Sequence, residues 1–359
     1  MSEKDISSMV EEAISKVGEL GSKAGDKIKE IRENETVAAL AGSVKKGAKT
    51  AAQGVATGAK IAAGGIADGT REVSDTIKTT HEERKGEKKQ RKTVRLNNGV
   101  MIPMVGFGSY LATENGIQVI TDALEAGYRY IDTARFYKNE GEIGEAIEQS
   151  SVKREEIFLC SKIWPDMFGT DKARTSFEAS CESLRTDYLD MYLLHWPKYT
   201  PNDEEWVDKM RQTWAVLEEY YKAGRIKAIG LSNFLPHHLR PLLETAVIRP
   251  VVDQLELHVG YMQEYTLAYL KKENIMPQAW SPLGRARVMG DERITKLAHK
   301  YGKSNAQILL KFLVQRGIPV IPKASSIERM KENRDIFDFY LTEDEISYLS
   351  CFTEAGWSG

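Results

Sequence analysis

The N-terminal part of the chain lacks the residue types that build a compact core. Residues 1–91 contain no phenylalanine, tyrosine, tryptophan, proline or cysteine, and the first proline and first aromatic residue are Pro103 and Phe107. Without aromatic side chains, little apolar surface can be buried. We therefore place a domain boundary after residue 91. We expect residues 1–91 to be a low-complexity, disordered or helical extension with a linker, and residues 92–359 to be the folded domain.

The sequence also lacks a strong net charge, a disulfide framework and a long apolar run, and each absence restricts the possible functions. Its formal net charge is −2, so no overall field favours nucleic acid or an anionic membrane. Its three cysteines are odd in number and far apart, which indicates a reducing compartment and no disulfide framework. No apolar run approaches the roughly 18 residues that span a bilayer, and the acidic start fits neither a signal nor a transit peptide. We expect a cytoplasmic protein with no nucleic-acid partner.

Small residues dominate a helical pattern within the extension. From Val44 to Ile66 the apolar positions are separated by steps of four, three and four, an eleven-residue period, but five glycines interrupt the pattern. Each glycine costs a helix about 1 kcal/mol relative to alanine. Residues 46–60 resemble the degenerate eleven-residue repeats of late-embryogenesis-abundant, synuclein and perilipin-type proteins. The resemblance implies weak contact of residues 1–91 with a lipid surface; a plain tether is the alternative.

Strand and helix patterns alternate after residue 92. Residues 94–102 place two short apolar runs around Asn-Gly, which predicts a β-hairpin. Strand-like runs follow at 104–109, 128–133, 157–163, 189–195, 226–232, 251–257, 275–281 and 318–322. Helical patterns occupy 115–126, 141–149, 171–184, 204–223, 236–246, 263–273, 291–301, 304–316, 328–337 and 343–350. This order and length predict an α/β protein, a (β/α)8 TIM barrel with an N-terminal hairpin.

A doubly wound open sheet is the alternative fold. It would be expected to carry a dinucleotide-binding glycine fingerprint after its first strand. Gly106-Phe-Gly108 fails that pattern, because Leu111 stands where the third glycine should be and the stretch precedes a loop instead of a helix.

Polar residues lie at the ends of three successive predicted strands. Asp132 ends the second strand, Lys162 lies near the end of the third, His195 ends the fourth, and Tyr137 follows Asp132 in a loop. A barrel gathers these ends around one mouth. A buried lysine needs a partner, which Asp132 can supply. We expect the Lys162 charge to lower the pKa of Tyr137 below about 10 and make it a general acid, with His195 orienting an oxygen. Taken singly, the same residues could be a helix cap, a surface tyrosine and a core histidine.

Five motifs make the folded domain recognisable. They are Gly127-Tyr-Arg-Tyr-Ile-Asp-Thr-Ala134, Leu194-His-Trp-Pro197, Gly230-Leu-Ser-Asn-Phe234, Ala279-Trp-Ser-Pro-Leu-Gly284 and Ile321-Pro-Lys323. Over about residues 93–359 the chain resembles the aldo-keto reductase superfamily, in the style of aldose reductase and the small bacterial and plant reductases. The resemblance implies NADPH-dependent reduction of aldehydes or ketones to alcohols without a Rossmann domain. It assigns the catalytic tetrad to Asp132, Tyr137, Lys162 and His195, with Tyr137 as the general acid.

The same resemblance assigns the binding residues. Those implied for the cofactor are Gly108, Ser109, Asp132, Ser232, Asn233, Gln254, Trp280, Ser281, Leu283, Gly284, Lys323, Ser325, Arg329, Glu332 and Asn333. Those implied for the substrate are Tyr110, Trp164, His195 and Trp196. Lys323 and Arg329 suit a 2′-phosphate, which favours NADPH over NADH. Ala324 replaces the usual serine, so we expect one phosphate hydrogen bond fewer.

Metal chemistry is not expected, because the six histidines show no ligand spacing with cysteines or acids. We expect a monomer with a small carbonyl compound as its partner. Two alternatives would place the protein in a functional class other than enzymes. One is a regulatory protein that binds the cofactor with little turnover, and the other is a lipid-surface protein in which the barrel is secondary.

Overall fold

The computed structural model describes residues 92–113 and 116–353. The extension, residues 1–91, lies outside the described residues, so its boundary, its helical or disordered state and its lipid contact stay predictions.

Two sheets account for the strands in the described part of the chain. The hairpin strands β1 (Thr93–Arg95) and β2 (Met101–Pro103) pair antiparallel, as predicted. The other strands are parallel, and each pairs with its neighbour in chain order. They are β3 (Phe107–Gly108), β4 (Tyr130–Asp132), β5 (Phe158–Ile163), β6 (Met191–Leu194), β7 (Ile229–Ser232), β8 (Val252–Glu256) and β9 (Met276–Trp280).

The segment around Val320 joins the two edges of the parallel sheet. Val320 forms parallel bridges with both Val105 and Ala279. Gly106 N donates to Val320 O at 2.8 Å, and Ala279 N donates to Pro319 O at 2.8 Å. The predicted eighth strand is therefore a pair of single-residue bridges. Because it closes the sheet on itself, the fold is the predicted (β/α)8 barrel and not the open doubly wound sheet.

Helices follow the strands as the periodicity predicted. Those in the described residues are α1 (Gln118–Glu125), α2 (Glu140–Gln149), α3 (Thr170–Ser183), α4 (Trp206–Lys222), α5 (Pro236–Leu243), α6 (Glu264–Lys272), α7 (Glu292–Tyr301), α8 (Asn305–Gln315), α9 (Ile327–Arg334) and α10 (Glu343–Ser350). Helix α1 begins three residues later than expected, because Gly116 has φ of +96° and cannot be helical. None of the described helices combines the length and apolar character that crossing a membrane requires.

Apolar side chains form two clusters, one between the sheet and its helices and one inside the barrel. Leu96 and Ile102 of the hairpin join the inner cluster. The hairpin also donates from Asn97 to Pro250 O and from Asn98 to Lys227 O, just before strands β8 and β7. The hairpin therefore covers the amino ends of the strands, which leaves the carboxyl ends as the open mouth of the barrel.

Two glycines in helix α2 make a matched test of its packing on α3. A Cβ at Gly144 would lie 2.5 Å from Ser183 O, whereas a Cβ at Gly141 would meet nothing within 4 Å. We expect Gly144→Ala to destabilise the fold by about 1–3 kcal/mol, since the opposing atom is backbone and cannot move aside. Gly141→Ala should instead stabilise by about 0.4–1 kcal/mol. Urea unfolding of both variants measures the difference, and equal effects would contradict this packing.

Candidate active site

A buried ion pair lies at the ends of strands β4 and β5. Lys162 is fully buried; its Nζ lies 2.5 Å from Asp132 Oδ1 and donates to Thr133 O at 2.9 Å. Burial acts to lower the pKa of Lys162, but the charge of Asp132 raises it, and the pKa ends above the usual lysine value. The predicted pairing is therefore present, and Lys162 stays an ammonium at neutral pH.

Tyr137 lies beside this ammonium in the short 3-10 turn Arg135–Tyr137. The Lys162 Nζ is 5.1 Å from the centroid of the Tyr137 ring. The expectation of a lowered phenol pKa is wrong. Burial raises the pKa of Tyr137, and although Lys162 lowers it, the pKa stays above its usual value of 10.0. The ammonium limits the rise but does not reverse it, so the phenol is held protonated, as a proton donor must be before it donates.

His195 completes this group at the end of strand β6. Its ring lies edge-on to that of Tyr137, with centroids 5.5 Å apart, and edge-on to Trp164 at 4.9 Å. Burial and then the Lys162 charge hold the pKa of His195 well below 6.5. The imidazole is therefore neutral, with one N–H donor and one acceptor nitrogen. Its buried Nδ1 has no hydrogen-bond partner among the described residues.

Residues assigned to the cofactor form a hydrogen-bonded group on strands β7, β8 and β9. Asn233, with φ of +64°, donates to His195 O at 2.9 Å and accepts from Trp280 Nε1 at 2.9 Å. Ser232 Oγ donates to Gln254 O at 2.9 Å. Gln254 Nε2 donates to Asp132 Oδ2 at 2.8 Å. These predicted residues therefore touch the predicted catalytic group directly.

The loop after β9 has a tight backbone. Ser281, Gly284, Arg285 and Ala286 all have positive φ. A Cβ at Gly284 would lie 3.1 Å from the His258 ring, so glycine is needed there for space as well as for conformation. Leu283 precedes Gly284 and is partly buried. The loop can bring successive backbone groups towards a ligand at the barrel mouth.

Behind this loop, the exposed Arg287 meets two buried side chains, Glu256 and His258, in a polar cluster that the sequence analysis missed. Arg287 Nη2 lies 3.4 Å from Glu256 Oε1 and 3.2 Å from His258 Nε2, and Arg287 Nε donates to Gly284 O at 3.1 Å. The sequence signal was a glutamate and a histidine two residues apart in the apolar run that ends strand β8. The cluster anchors the loop to the barrel.

The two cations assigned to the 2′-phosphate are both exposed. Lys323 Nζ donates to Leu111 O at 2.7 Å, in the loop after β3. Arg329 lies in the first turn of α9, where its N–H donates to Ser326 Oγ. The other residues assigned to the adenosine end differ in exposure, with Ser325 exposed, Glu332 partly buried and Asn333 buried.

The mouth fits a large polar ligand such as a dinucleotide. The buried Ser109 Oγ, like His195 Nδ1, has no hydrogen-bond partner among the described residues. A Cβ at Gly108 would lie 2.7 Å from Ile321 O, so glycine lets the backbones approach closely at this rim. Unpaired buried polar atoms call for a partner, and the exposed Lys323 and Arg329 can hold phosphate.

Aromatic rings line the outer side of the site. Tyr110 packs on Tyr137 with ring centroids 4.9 Å apart. Trp164 stacks on Phe136 at 4.0 Å with an interplanar angle of 16°. Trp196, also assigned to the substrate, follows His195 and is partly buried. Phe136 was missed by the sequence analysis, although a large apolar residue next to Tyr137 in a loop was a usable signal.

The family model described as "Aldo/keto reductase family" matches residues 104–353. The chain belongs to the aldo/keto reductase family. It is therefore an oxidoreductase, of a family that generally uses NAD(P)H and reduces carbonyl groups. It is 42% identical over 265 residues to the glyoxal reductase of Bacillus subtilis (strain 168), covering 73% of this chain and 93% of the relative.

Other members of the family are similar to this chain over the same part of its length. The methylglyoxal reductase DkgA of Escherichia coli (strain K12) is 38% identical, with 72% of this chain and 92% of the relative covered. The crystal structure of an aldo/keto reductase from Brucella melitensis superposes with a TM-score of 0.68 at 37% identity, covering 72% of this chain and 98% of that one.

The neutral, buried His195 should make this aldo/keto reductase sensitive to acid. The unfolded chain binds a proton at His195 below about pH 6.5, whereas the folded chain does not. Stability therefore falls as the pH drops below 6.5, by up to about 1.4 kcal/mol per pH unit for this one proton. We expect His195→Gln to remove that contribution to the slope, and His299→Gln, at an exposed position on helix α7, to keep it. Urea titrations from pH 7 to 5 measure the slopes, and parallel curves for wild type and His195→Gln would contradict a neutral His195.

Proposed function

We propose that the protein reduces aldehydes or ketones to alcohols with NADPH, with Tyr137 as general acid. The observation that carries the proposal is the grouping of Tyr137, the buried Lys162–Asp132 ion pair and the neutral His195 at one mouth of the barrel. Bound NADPH supplies the hydride to the carbonyl carbon.

The chain's own residues handle the proton and the charge. Tyr137 gives its proton to the carbonyl oxygen on which negative charge develops. The N–H of His195 and the charge of Lys162 stabilise that oxygen, and Lys162 then stabilises the resulting phenolate. Asp132 keeps Lys162 charged and in place. Because the pKa of Tyr137 is raised, the phenol carries its proton at neutral pH and is available as the donor.

NADPH is favoured over NADH by two cations with room to accept a phosphate. The bond from Lys323 to Leu111 O lies at an exposed position, so the amine can exchange a neutral acceptor for a phosphate oxygen. Arg329 offers a planar, two-pronged donor at the start of α9. Ala324 is buried and adds no hydroxyl.

The aromatic wall supports small, apolar or planar aldehydes as substrates. Phe136, Trp164 and Tyr110 present ring faces and edges beside Tyr137 and His195, a lining that suits apolar groups attached to a carbonyl. The named activities of the relatives, on glyoxal and methylglyoxal, fit a small carbonyl compound. We further propose that the enzyme works as a cytoplasmic monomer, with residues 1–91 making at most weak contact with lipid.

Tyr137→Phe tests the acid. Removing the phenolic proton should lower kcat/KM by about 10²–10⁴-fold and leave NADPH affinity unchanged. The assay follows NADPH oxidation by the full-length chain with methylglyoxal, glyoxal, benzaldehyde and cyclohexanone. Tyr192→Phe, which removes a buried hydroxyl bonded to Ser176 on the helix side of β6, is the control.

Undiminished turnover by Tyr137→Phe would refute the assignment of the acid. NADPH binding by the wild-type chain with no turnover on any of these compounds would point instead to a cofactor-binding regulatory protein.

Lys323→Met and Arg329→Leu test the choice of cofactor. Each removes a charge-assisted bond to the 2′-phosphate, which predicts a rise of about tenfold or more in the KM for NADPH and no change for NADH. Lys331→Met, at an exposed site on the same helix, should change neither value. A similar loss with both cofactors would mean that these cations do not read the phosphate.

A further inference from the structure

Beneath the barrel mouth, two side chains outside the assigned site form hydrogen bonds that connect to Gln254, which is a residue of that site. Tyr130 on β4 and Gln278 on β9 are both fully buried. The Tyr130 hydroxyl lies 3.1 Å from Gln278 Oε1 and 3.5 Å from Asp132 Oδ2, and the shorter contact makes Gln278 the main acceptor of its single proton. Gln254 Nε2 donates to the same Gln278 oxygen at 2.9 Å. The oxygen of Gln278 therefore accepts from two neighbouring strands at once.

The two N–H bonds of Gln254 both have acceptors. One points to Asp132 Oδ2 at 2.8 Å and the other to Gln278 Oε1 at 2.9 Å. The carboxylate of Asp132 accepts hydrogen bonds and so decides that the nitrogen end of Gln254 faces the barrel core. The second acceptor, Gln278, fixes the plane of the amide. Together they leave the side-chain oxygen of Gln254, Oε1, as the end of the amide that is available to a ligand.

Tyr130 decides which end of Gln278 faces Gln254. With the Tyr130 hydroxyl as donor, the oxygen of Gln278 is the end held between the two strands. Its other end, Nε2, is buried and has no hydrogen-bond partner among the described residues. The pKa of Tyr130 is raised well above its usual value, chiefly by burial, so the hydroxyl keeps its proton. The orientation of the Gln278 amide is therefore held by the two donors that its oxygen accepts from, not by hydrogen bonds at its nitrogen.

We propose that Gln278 and Tyr130 are positioning residues for the cofactor: they fix the amide of Gln254 so that its oxygen accepts from the N–H of the nicotinamide carboxamide. The inference rests on the proposed function. It adds two residues that neither touch the cofactor nor take part in proton transfer, and it links the carboxamide through Gln254 to Asp132 and so to the catalytic ion pair.

The test uses a cofactor analogue that lacks the donor. In the 3-acetylpyridine analogue of NADP⁺ a methyl ketone replaces the carboxamide, so it offers no N–H to Gln254. Dissociation constants of the full-length chain for NADP⁺ and the analogue are measured by tryptophan fluorescence. We expect wild type to prefer NADP⁺ by about fivefold, the value of one ordinary hydrogen bond.

Gln278→Met keeps the length and volume of the side chain but removes the acceptor. We expect it to lose most of the preference for NADP⁺. Tyr130→Phe, a smaller change that secures the test should Gln278→Met fold poorly, should reduce the preference in the same direction. Tyr192→Phe, another buried strand tyrosine, should leave the preference at the wild-type value.

If the wild-type chain reduces aldehydes and a folded Gln278→Met or Tyr130→Phe variant keeps the full preference for NADP⁺, this inference alone is overturned. Lowered stability with an unchanged preference would mean a purely structural role and would overturn it equally. A wild-type chain with neither binding nor turnover would overturn the proposed function and this inference together.

Discussion

The buried ion pair of Lys162 and Asp132 constrains the site most strongly. Removing two charges from water costs several kcal/mol for each ion, and an apolar pair of similar volume is often as stable. Stability alone therefore does not explain the pair. Its bonds do not run only between the two partners, because Lys162 also donates to Thr133 O and Asp132 accepts from Gln254. The arrangement fixes a positive charge beside Tyr137, in surroundings where water screens it little.

The same burial acts in opposite directions on the two neutral groups near that charge. It raises the pKa of Tyr137, an acid that is charged when deprotonated, and lowers the pKa of His195, a base that is charged when protonated. Both are consequently neutral around pH 7 and both can donate a hydrogen bond. A site with one permanent cation and two neutral donors is suited to an oxygen that gains negative charge during the reaction.

The sequence was sufficient where position along a strand decides the outcome. Residues at the carboxyl ends of parallel strands meet at one mouth, so Asp132, Lys162 and His195 could be grouped from the sequence alone. The balance of effects on the Tyr137 pKa could not be predicted, because the sign of a neighbouring charge is readable in sequence but the degree of burial is not. The Phe136–Trp164 stack and the amide orientation of Gln278 were missed, since each depends on contacts between elements far apart in the chain.

The ion pair of the proposed mechanism and the aromatic wall of the proposed substrate pocket lie on different parts of the chain. Of the proposed tetrad, Asp132 and Lys162 lie on barrel strands with Gln254 behind them, whereas Tyr137 shares a 3-10 turn with Phe136. Tyr110 lies on the loop after β3. The backbone also makes room for the hydrogen-bonded side chains Tyr130 and Gln278. A Cβ at Gly106 would lie 2.6 Å from the Tyr130 ring, so glycine at this position lets Tyr130 lie across the barrel towards Gln278. Changes at Tyr110 or Phe136 can therefore alter which carbonyl compound enters the proposed site, while the hydrogen bonds between the strands keep the Lys162 charge in place.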